Sequence, residues 1–204
     1  MTSQPVDPLL IERVAARAGL ALDVALVTAL ARFGDLFLLW NEKINLGGRI
    51  DATELVERHF LDSFVAAQFI APHQSVIDVG SGGGLPAIPL ALVRPLTRFE
   101  LHEPVGKKVA FLRTAVRDLD LGARVKVLAE RVEAPTSSSV PQHFDVAMSR
   151  ATLSPGTWLT LGRLLVQPRG RVLVFATDEE ADGCVGPTKV LGYGVNRRLL
   201  SFDR

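Results

Sequence analysis

A glycine-rich run in the first half of the chain has the residue types and spacing that best suggest chemistry. It reads Val76-Ile-Asp-Val-Gly-Ser-Gly-Gly-Gly-Leu-Pro86, and Glu103 follows at the end of Phe99-Glu-Leu-His-Glu. The pattern predicts a strand, a glycine loop, the start of a helix and a second strand that ends in a carboxylate. An α/β sheet uses this layout to hold a nucleoside cofactor, because the acid can accept hydrogen bonds from ribose hydroxyls.

The spacing of the glycines narrows the class of cofactor. A dinucleotide fingerprint needs a third glycine where helix and strand pack closely, and that position here is Leu85. The pattern is therefore G-x-G-x-G, with Asp78 two residues ahead of Gly80. It resembles the S-adenosylmethionine loop of class I methyltransferases, in which the methionine end and the ribose lie against bare backbone. The alternative is a glycine-rich turn joined to an ordinary acid at a strand end.

Composition limits the class of protein. The chain has 204 residues, of which 48% are apolar, so a sizeable core in one domain is expected. The single cysteine, Cys184, excludes an internal disulfide and a cysteine-based metal site. No signal peptide is recognised and no apolar stretch reaches the roughly 18 residues of a membrane span. We therefore expect a cytoplasmic protein without a membrane partner. The formal charge of +1 leaves nucleic-acid binding to a local patch.

The periodicity of apolar residues divides the chain into two parts. Helical spacing covers residues 8–19, 23–44 and about 51–70, which precede the first strand. We expect residues 1–72 to form a helical extension packed on a core of residues 73–204, the two together forming one structural domain.

From residue 75 onward, short β-type runs alternate with helical segments. The predicted strands are 76–79, 98–103, 125–128, 144–149 and 172–176, and the predicted helices are 85–93, 106–119 and 157–165. Such alternation is typical of an α/β fold with a parallel sheet and right-handed crossovers. The tail predicts two more strands around a turn, while residues 135–141 and 177–187 are predicted loops. The expected fold is the Rossmann-like class I methyltransferase fold, with a mostly parallel seven-stranded sheet and helices on both faces.

Flanking motifs make the resemblance more specific. In chain order they are Trp40-Asn-Glu-Lys-Ile-Asn-Leu46, Arg58-His-Phe-Leu-Asp-Ser63, Asp78-Val-Gly-Ser-Gly-Gly-Gly-Leu-Pro-Ala-Ile-Pro-Leu90, Glu103-Pro-Val-Gly-Lys-Lys-Val-Ala-Phe-Leu-Arg113, Arg131-Val-Glu133 and Met148-Ser-Arg-Ala151. Together they resemble the bacterial small-subunit (16S) ribosomal RNA guanine-N7 methyltransferases, the RsmG family formerly called glucose-inhibited division protein B. The resemblance runs from about residue 30 to about residue 176.

This resemblance implies a cofactor and a set of site residues. The cofactor is S-adenosyl-L-methionine, and Arg150, as the catalytic residue, lines the cleft where cofactor and base meet. Alternatives remain, since Leu85 could be core, Glu133 a solvated helix-start acid and His59 a hydrogen-bonded structural histidine rather than a base. The cofactor-binding residues implied are Asp78, Gly80, Gly82, Gly84, Leu85, Glu103, Val132, Glu133 and Arg150.

The resemblance also implies a partner, namely 16S ribosomal RNA or the small ribosomal subunit. Guanine N7 has a lone pair and no proton, so its methylation needs no general base and depends mostly on placement. RNA affinity would come from phosphate contacts. We expect a monomer without a metal ion. The candidate RNA-binding residues are Lys43, Arg49, Arg58, Lys107, Lys108 and Arg113, each of which could instead belong to a solvated helix face.

Three segments depart from the family pattern. Where family members usually have Asn-Leu-Thr, this chain has Asn45-Leu-Gly-Gly48. Where they usually have Lys-Pro-Gly-Gly, it has Gln167-Pro-Arg-Gly170. Phe175-Ala-Thr-Asp-Glu-Glu180 replaces a basic residue with three acids near the rim of the cleft. The competing functions are therefore methyl transfer to another RNA or a small molecule, and a non-catalytic cofactor-binding module. A nicotinamide oxidoreductase is disfavoured by Leu85.

Overall fold

The structure is a computed structural model that describes residues 4–132, 144–150 and 152–204. The predicted loop at 135–141 and the predicted site residue Glu133 lie outside the described residues.

Two capped helices open the fold. Helix α1 spans Pro8–Arg17 and helix α2 spans Val24–Ile44. Each begins after an aspartate, Asp7 or Asp23, whose side chain accepts a backbone N–H of the first turn at 2.9 and 2.8 Å. These caps satisfy donors that the helix itself leaves without partners. Helix α2 ends where Asn45 takes a left-handed conformation with φ 53°.

The expectation that no apolar stretch is long enough to span a membrane is wrong for helix α2. It is long and apolar enough to cross a bilayer by length and composition, with a mean hydropathy of 1.4 in its most apolar window. In the structure its apolar stripe, including Leu30, Phe33 and Phe37, is buried in the same hydrophobic cluster as the sheet. This stripe of α2 therefore packs against protein, although only 33% of the most apolar window is buried.

The third helical segment contains an irregular turn. It starts as α3 (Ala52–Glu54), continues as a π-helical segment over Leu55–Phe60 and ends as α4 (Leu61–Ala67). Asp51 caps the start by accepting the N–H of Glu54 at 2.8 Å. A π turn holds one residue more than an α turn, and such segments are frequent at functional sites. All residues of α4 are buried.

The sheet has seven strands in the order β3-β2-β1-β4-β5-β7-β6. Strands β1 to β5 pair in parallel, whereas β7 runs antiparallel to both β5 and β6. This arrangement confirms the predicted fold class. The strands are β1 Ser75–Val79, β2 Arg98–His102, β3 Val125–Leu128, β4 Phe144–Ser149, β5 Val166–Thr177, β6 Lys189–Tyr193 and β7 Arg197–Asp203.

Helices fill both faces of the sheet. Helix α5 spans Ala87–Val93, α6 spans Gly106–Asp118 and α7 spans Pro155–Leu165. The prediction of a loop at 177–187 was wrong in part, because α8 covers Asp178–Asp182. Thr177 and Glu180 form a reciprocal capping box that stabilises this short helix despite its lack of an apolar stripe.

The core consists of two clusters, one on each face of the sheet. The larger cluster joins α1, α2 and α4 to α5 and α6. The smaller cluster lies under α7, where fully buried Trp158 donates its indole N–H to the carbonyl of Leu173 at 2.8 Å. Parallel pairing places the carboxyl ends of β1, β2 and β4 at one edge of the sheet, where open α/β folds bind ligands.

We predict that Gly83→Ala destabilises the fold by about 1–3 kcal/mol through overpacking. A methyl group at Gly83 would meet Cε2 of Phe37 at 2.5 Å and Cβ of Leu46 at 3.1 Å, so helix α2 would have to move away from the loop. Urea-induced unfolding measures the effect. Gly106→Ala is the matched control, because within the described part of the chain no atom beyond its chain neighbours and its own helix backbone lies within 4 Å of the added methyl group. Equal stability of the two variants would contradict the tight packing of α2 behind the loop.

Candidate functional site

The glycine loop follows β1 and is held against β2. Gly80, Gly82 and Gly84 have φ values of 75°, 55° and 72°, a region that side chains disfavour. The backbone N–H groups of Gly80 and Ser81 both donate to the carbonyl of His102, at 2.8 and 3.1 Å. The loop is therefore a fixed bend at the carboxyl edge of the sheet.

The three glycines are needed for different reasons. A methyl group at Gly80 would collide with the side chain of Thr152, and one at Gly84 would meet Cγ1 of Ile88 at 2.6 Å. At Gly82 the nearest atom would be the Gly80 carbonyl oxygen at 3.8 Å, so open space lies in front of it. A side chain at Gly80 or Gly84 would thus meet protein atoms, whereas the space beside Gly82 is left for a ligand, and contact of all three glycines with the cofactor stays a prediction.

Glu103 connects the loop to the second strand. Its buried carboxylate accepts the N–H of Gly82 on Oε2 and the N–H of Val105 on Oε1, both at 2.8 Å. These two bonds orient the carboxylate toward the open space at Gly82. Each oxygen keeps a second lone pair, so the group can still accept hydrogen bonds from a ligand hydroxyl.

Asp78 is a buried carboxyl with an incomplete set of partners. Its Oδ2 has no hydrogen-bond partner within the described residues. Burial, the largest effect, raises the pKa of Asp78 from 3.8 to about 7, although the charge of Arg150 acts in the opposite direction. An unsatisfied buried carboxyl beside a glycine loop fits a cationic group. S-adenosylmethionine carries such a group in its α-ammonium, so the residues present fit this cofactor.

The remaining predicted cofactor residues are only partly described. Leu85 is half-buried and packs on the larger core cluster, as the core alternative expects, and its contact with a ligand stays a prediction. Val132 is half-buried against the smaller cluster. Glu133 lies outside the described part of the chain.

A second group of polar residues surrounds Arg150. Asp62 is fully buried, and its Oδ2 accepts Nη1 of Arg150 at 2.6 Å. Its Oδ1 accepts the hydroxyl of Tyr193 at 2.7 Å and also Nη2 of Arg197. One carboxylate from α4 therefore joins the residue after β4 to the β6–β7 hairpin. We call Asp62, Arg150, Tyr193 and Arg197 the arginine cluster.

His59 supports the arginine cluster as a neutral acceptor. Its Nδ1 lies 2.5 Å from Nη2 of Arg150, a donor that always carries hydrogen. Burial and then the charge of Arg150 lower the pKa of His59 to about 3. His59 is thus hydrogen-bonded as expected, and its structural role stays a prediction.

The arginine cluster borders a cavity of about 730 Å³, which we call the arginine cleft. Its walls come from the π-helical segment, the carboxyl ends of β4 and β5, and the tip of the β6–β7 hairpin. This volume is in the range of small-molecule sites. Residues that line it include Arg58, His59, Arg150, Thr177, Tyr193 and Arg197.

The predicted RNA-binding residues fall into three places. Lys43 and Arg49 are exposed around the end of α2, where Arg49 borders a separate cavity of about 640 Å³. Arg58 borders the arginine cleft and pairs with Glu54 at 2.5 Å. The third place is helix α6, which carries Lys107, Lys108 and Arg113. Of these predicted RNA-binding residues, Arg58 is thus the one that shares the arginine cleft with Arg150.

The acidic residues near the cleft are partly paired within the protein. Asp178 and Asp182 pair with Arg198 at 2.9 and 3.1 Å. Glu180 accepts the N–H of Thr177 at 2.8 Å in the capping box. Of the three acids in the predicted segment, Asp178 therefore shares Arg198 with Asp182, Glu180 is committed to a helix cap, and Glu179 is exposed.

Sequence reasoning missed Asp62, Tyr193 and Arg197. Asp62 belongs to the Arg58–Ser63 motif, which was a usable signal, but nothing local indicated that its partners lie 88 to 135 residues away. No group of three or more histidine, cysteine or acidic residues within the described ranges could hold a metal ion.

Comparison with known proteins identifies a methyltransferase family. Residues 27–190 match the family model for the rRNA small subunit methyltransferase G, GidB. The ribosomal RNA small subunit methyltransferase G of Anaeromyxobacter dehalogenans strain 2CP-C is 39% identical over 158 residues, covering 77% of this chain and 72% of that protein. The protein of the same name from Xanthomonas axonopodis pv. citri is 37% identical over 191 residues, covering 88% of each.

Solved structures are similar in fold. The S-adenosylmethionine-dependent methyltransferase SibL superposes with a TM-score of 0.52 at 18% identity, over 87% of this chain and 75% of that one. An RNA methyltransferase from Salinibacter ruber in complex with S-adenosyl-L-homocysteine gives 0.50 at 16% identity, over 64% and 80%. At these identities the similarity concerns the fold alone.

We predict that Asp78→Asn stabilises the ligand-free protein, and more so at pH 8 than at pH 5. Because the folded pKa is raised, a protonated Asp78 favours folding at low pH, and this contribution is lost as pH rises from about 4 to about 7. Asparagine is neutral throughout, so its advantage should be larger at pH 8 by about 2–3 kcal/mol. Urea-induced unfolding at both pH values measures it. Asp120→Asn is the exposed control, and an equal gain at both pH values for Asp78→Asn would contradict the assignment.

Proposed function

The chain belongs to the rRNA small subunit methyltransferase G family, GidB, and from this premise we propose that it methylates N7 of a guanine in 16S ribosomal RNA. It is an S-adenosylmethionine-dependent methyltransferase of class I fold. The choice of N7 as the acceptor atom is our proposal.

One observation carries the proposal. The family match spans residues 27–190 and contains the glycine loop, Glu103 and Arg150. In the fold these parts follow β1, β2 and β4, neighbouring parallel strands whose carboxyl ends share one edge of the sheet. This arrangement supports a cofactor site at the glycine loop and a cleft for the acceptor, lined by Arg150, at the same edge of the sheet.

The proposed cofactor site uses the loop and its two carboxyl groups. The open space at Gly82 receives the ligand, Glu103 accepts hydrogen bonds from the ribose hydroxyls, and Asp78 faces the α-ammonium. When bound, S-adenosylmethionine supplies a methyl group on a sulfonium, which a nucleophile can take directly. Gly80, Gly84, Leu85, Val132 and Glu133 complete the proposed set, together with Arg150 where the cofactor and the base meet.

Methyl transfer to guanine N7 requires mainly that the protein hold the base and the methyl donor in the right relative position. Guanine N7 presents a lone pair in the plane of the ring, so no side chain needs to remove a proton before methyl transfer. His59 suits this requirement, because its Nδ1 is occupied by Arg150 and the ring stays neutral at physiological pH. The arginine cleft, which Arg150 also lines, would supply walls that orient the base.

The proposed partner is the small ribosomal subunit or its RNA, met by a monomer in the cytoplasm. N7 lies on the Hoogsteen edge of guanine, so the nucleotide must be in an accessible loop or be turned out of its stack. Lys107 and Lys108 stand in the first turn of α6, where the helix dipole disfavours cations. Phosphate groups near this turn would relieve that local repulsion.

We expect the purified protein to transfer a methyl group to small ribosomal subunits from a strain that lacks this gene. Nucleoside mass spectrometry of the RNA should then show new 7-methylguanosine. Gly82→Ala should abolish the transfer, because its methyl group would enter the open space, where the nearest atom of the described residues beyond its chain neighbours lies at 3.8 Å, and because φ 55° disfavours a side chain. Calorimetry should show loss of S-adenosylmethionine binding in the same variant. A methylated product other than 7-methylguanosine would refute the N7 proposal.

We predict that changing Lys107 and Lys108 to Glu weakens RNA binding while S-adenosylmethionine binding is retained. Acidic side chains are favourable in the first turn of a helix, so the variant should be at least as stable as the parent protein. Loss of RNA binding would therefore not reflect unfolding. Filter binding and calorimetry give the two affinities.

The control for this experiment is the pair Arg98→Glu and Lys126→Glu, which changes the charge equally at the start of β2 and in β3. Similar losses of RNA affinity in the two double variants would indicate an effect of overall charge. Such a result would refute a specific contact at α6.

A further inference from the structure

We propose that the arginine cluster is a phosphodiester-binding site in which Asp62 is the positioning residue for Arg150 and Arg197. The site would hold the backbone of the acceptor RNA strand beside the target guanine. The inference rests on the proposed function and adds to it a substrate contact and two residues, Asp62 and Arg197, that the family resemblance did not assign.

The charges of the cluster leave one net positive charge facing the cleft. Two guanidiniums share one buried carboxylate, while His59 and Tyr193 contribute no charge. For Tyr193, burial and the charge of Asp62 raise the pKa, so its hydroxyl stays a donor. The charge of Asp62 is thus fully balanced within the cluster, and the remaining positive charge suits one additional anion.

The geometry leaves donors available for that anion. Within the described residues, Arg150 uses Nη1 for Asp62 and Nη2 for His59. Arg197 uses Nη2 for Asp62 and Nη1 for the carbonyl of Arg58 at 3.0 Å. Each guanidinium has five N–H donors, so several remain on each side chain. About a fifth of each side chain is exposed, and both line the arginine cleft.

A phosphate fits these donors better than the guanine base does. Planar guanidiniums match phosphate oxygens with two parallel hydrogen bonds. The corresponding contact with guanine uses O6 and N7, and it would occupy the lone pair that must attack the methyl group. A guanidinium close to N7 would also repel the positive charge that the base acquires on methylation. The strand backbone avoids both problems.

Asp62 is suited to position Arg150 and Arg197 because it is fully buried and contacts both. It is fully buried in α4, directly after the π-helical segment, and it holds groups from two other parts of the chain. Without its negative charge, Arg150 and Arg197 would repel each other and no longer point into the cleft together. The β6–β7 hairpin would also lose its bond from Tyr193.

The test uses Asp62→Asn and measures steady-state methylation of small ribosomal subunits. This variant gains one unit of net positive charge, which by itself strengthens RNA binding. We expect the opposite, a rise of about tenfold or more in KM for the subunit, with kcat changed less than about threefold. The matched control Asp178→Asn makes the same charge change at an exposed acid paired with Arg198, and its KM should stay the same or fall.

A second pair of variants keeps the test decisive if Asp62→Asn does not fold. Arg197→Gln should lower the slope of log affinity against log salt concentration by about 0.7, the effect of one lost contact with a single-stranded phosphate. Arg198→Gln, on the opposite side of the same strand, should leave the slope unchanged. Arg197→Lys should restore charge but only part of the affinity, because lysine lacks the planar fork.

Several results would overturn the inference. A lower kcat with unchanged KM in Asp62→Asn would place the cluster in the chemical step. Weaker S-adenosylmethionine binding with unchanged RNA affinity would indicate that the arginines hold the carboxylate of the cofactor. Equal slopes of log affinity against log salt concentration for the Arg197 and Arg198 variants would rule out a phosphate contact at Arg197. Absence of methyl transfer by the unaltered protein would instead refute the proposed function itself.

Discussion

The carboxylate of Glu103 makes the contact on which the site depends. It accepts backbone N–H groups from the loop after β1 and from the turn that leads into α6, and so fixes two neighbouring strand ends relative to each other. Hydrogen bonds from N–H groups to an ionised carboxylate are stronger than those between neutral groups. The bend at Gly82 and its open space are therefore set before any ligand arrives, which lowers the ordering cost of binding.

Two buried carboxyl groups near this edge have different environments. Asp78 has an oxygen without a partner among the described residues, and burial favours its protonated form. Asp62 is also fully buried, yet two guanidiniums and a phenol surround it. The first group destabilises the ligand-free protein and suits a cationic ligand. Asp62 joins α4 to the residue after β4 and to the β6–β7 hairpin, which a buried carboxylate can do when its oxygens accept enough hydrogen bonds.

Much of the fold was predictable because it follows local patterns. Strands β3 and β4 have the bounds that their apolar runs indicated, and aspartate caps marked the starts of α1 and α2. Helix α8 was missed because it has only five residues and no stripe, although the Thr177–Glu180 spacing of a capping box was present. The arginine cluster could not be found from periodicity, since charge pairing across more than 80 residues leaves no local signal. The different roles of the glycines likewise depend on neighbours, such as Thr152, that come from distant parts of the chain.

The π-helical segment sets the rotational phase of everything that follows it in the same helix. Each residue turns an α-helix by about 100°, so the additional residue of a wide turn shifts the face on which later side chains lie. If this helix were regular from Ala52 to Ala67, Asp62 would point away from the two arginines and the apolar face of α4 would be misaligned with the core. An insertion or deletion of one residue here would thus be far more damaging than in an exposed loop, and chains that diverge from this one should keep its length unchanged.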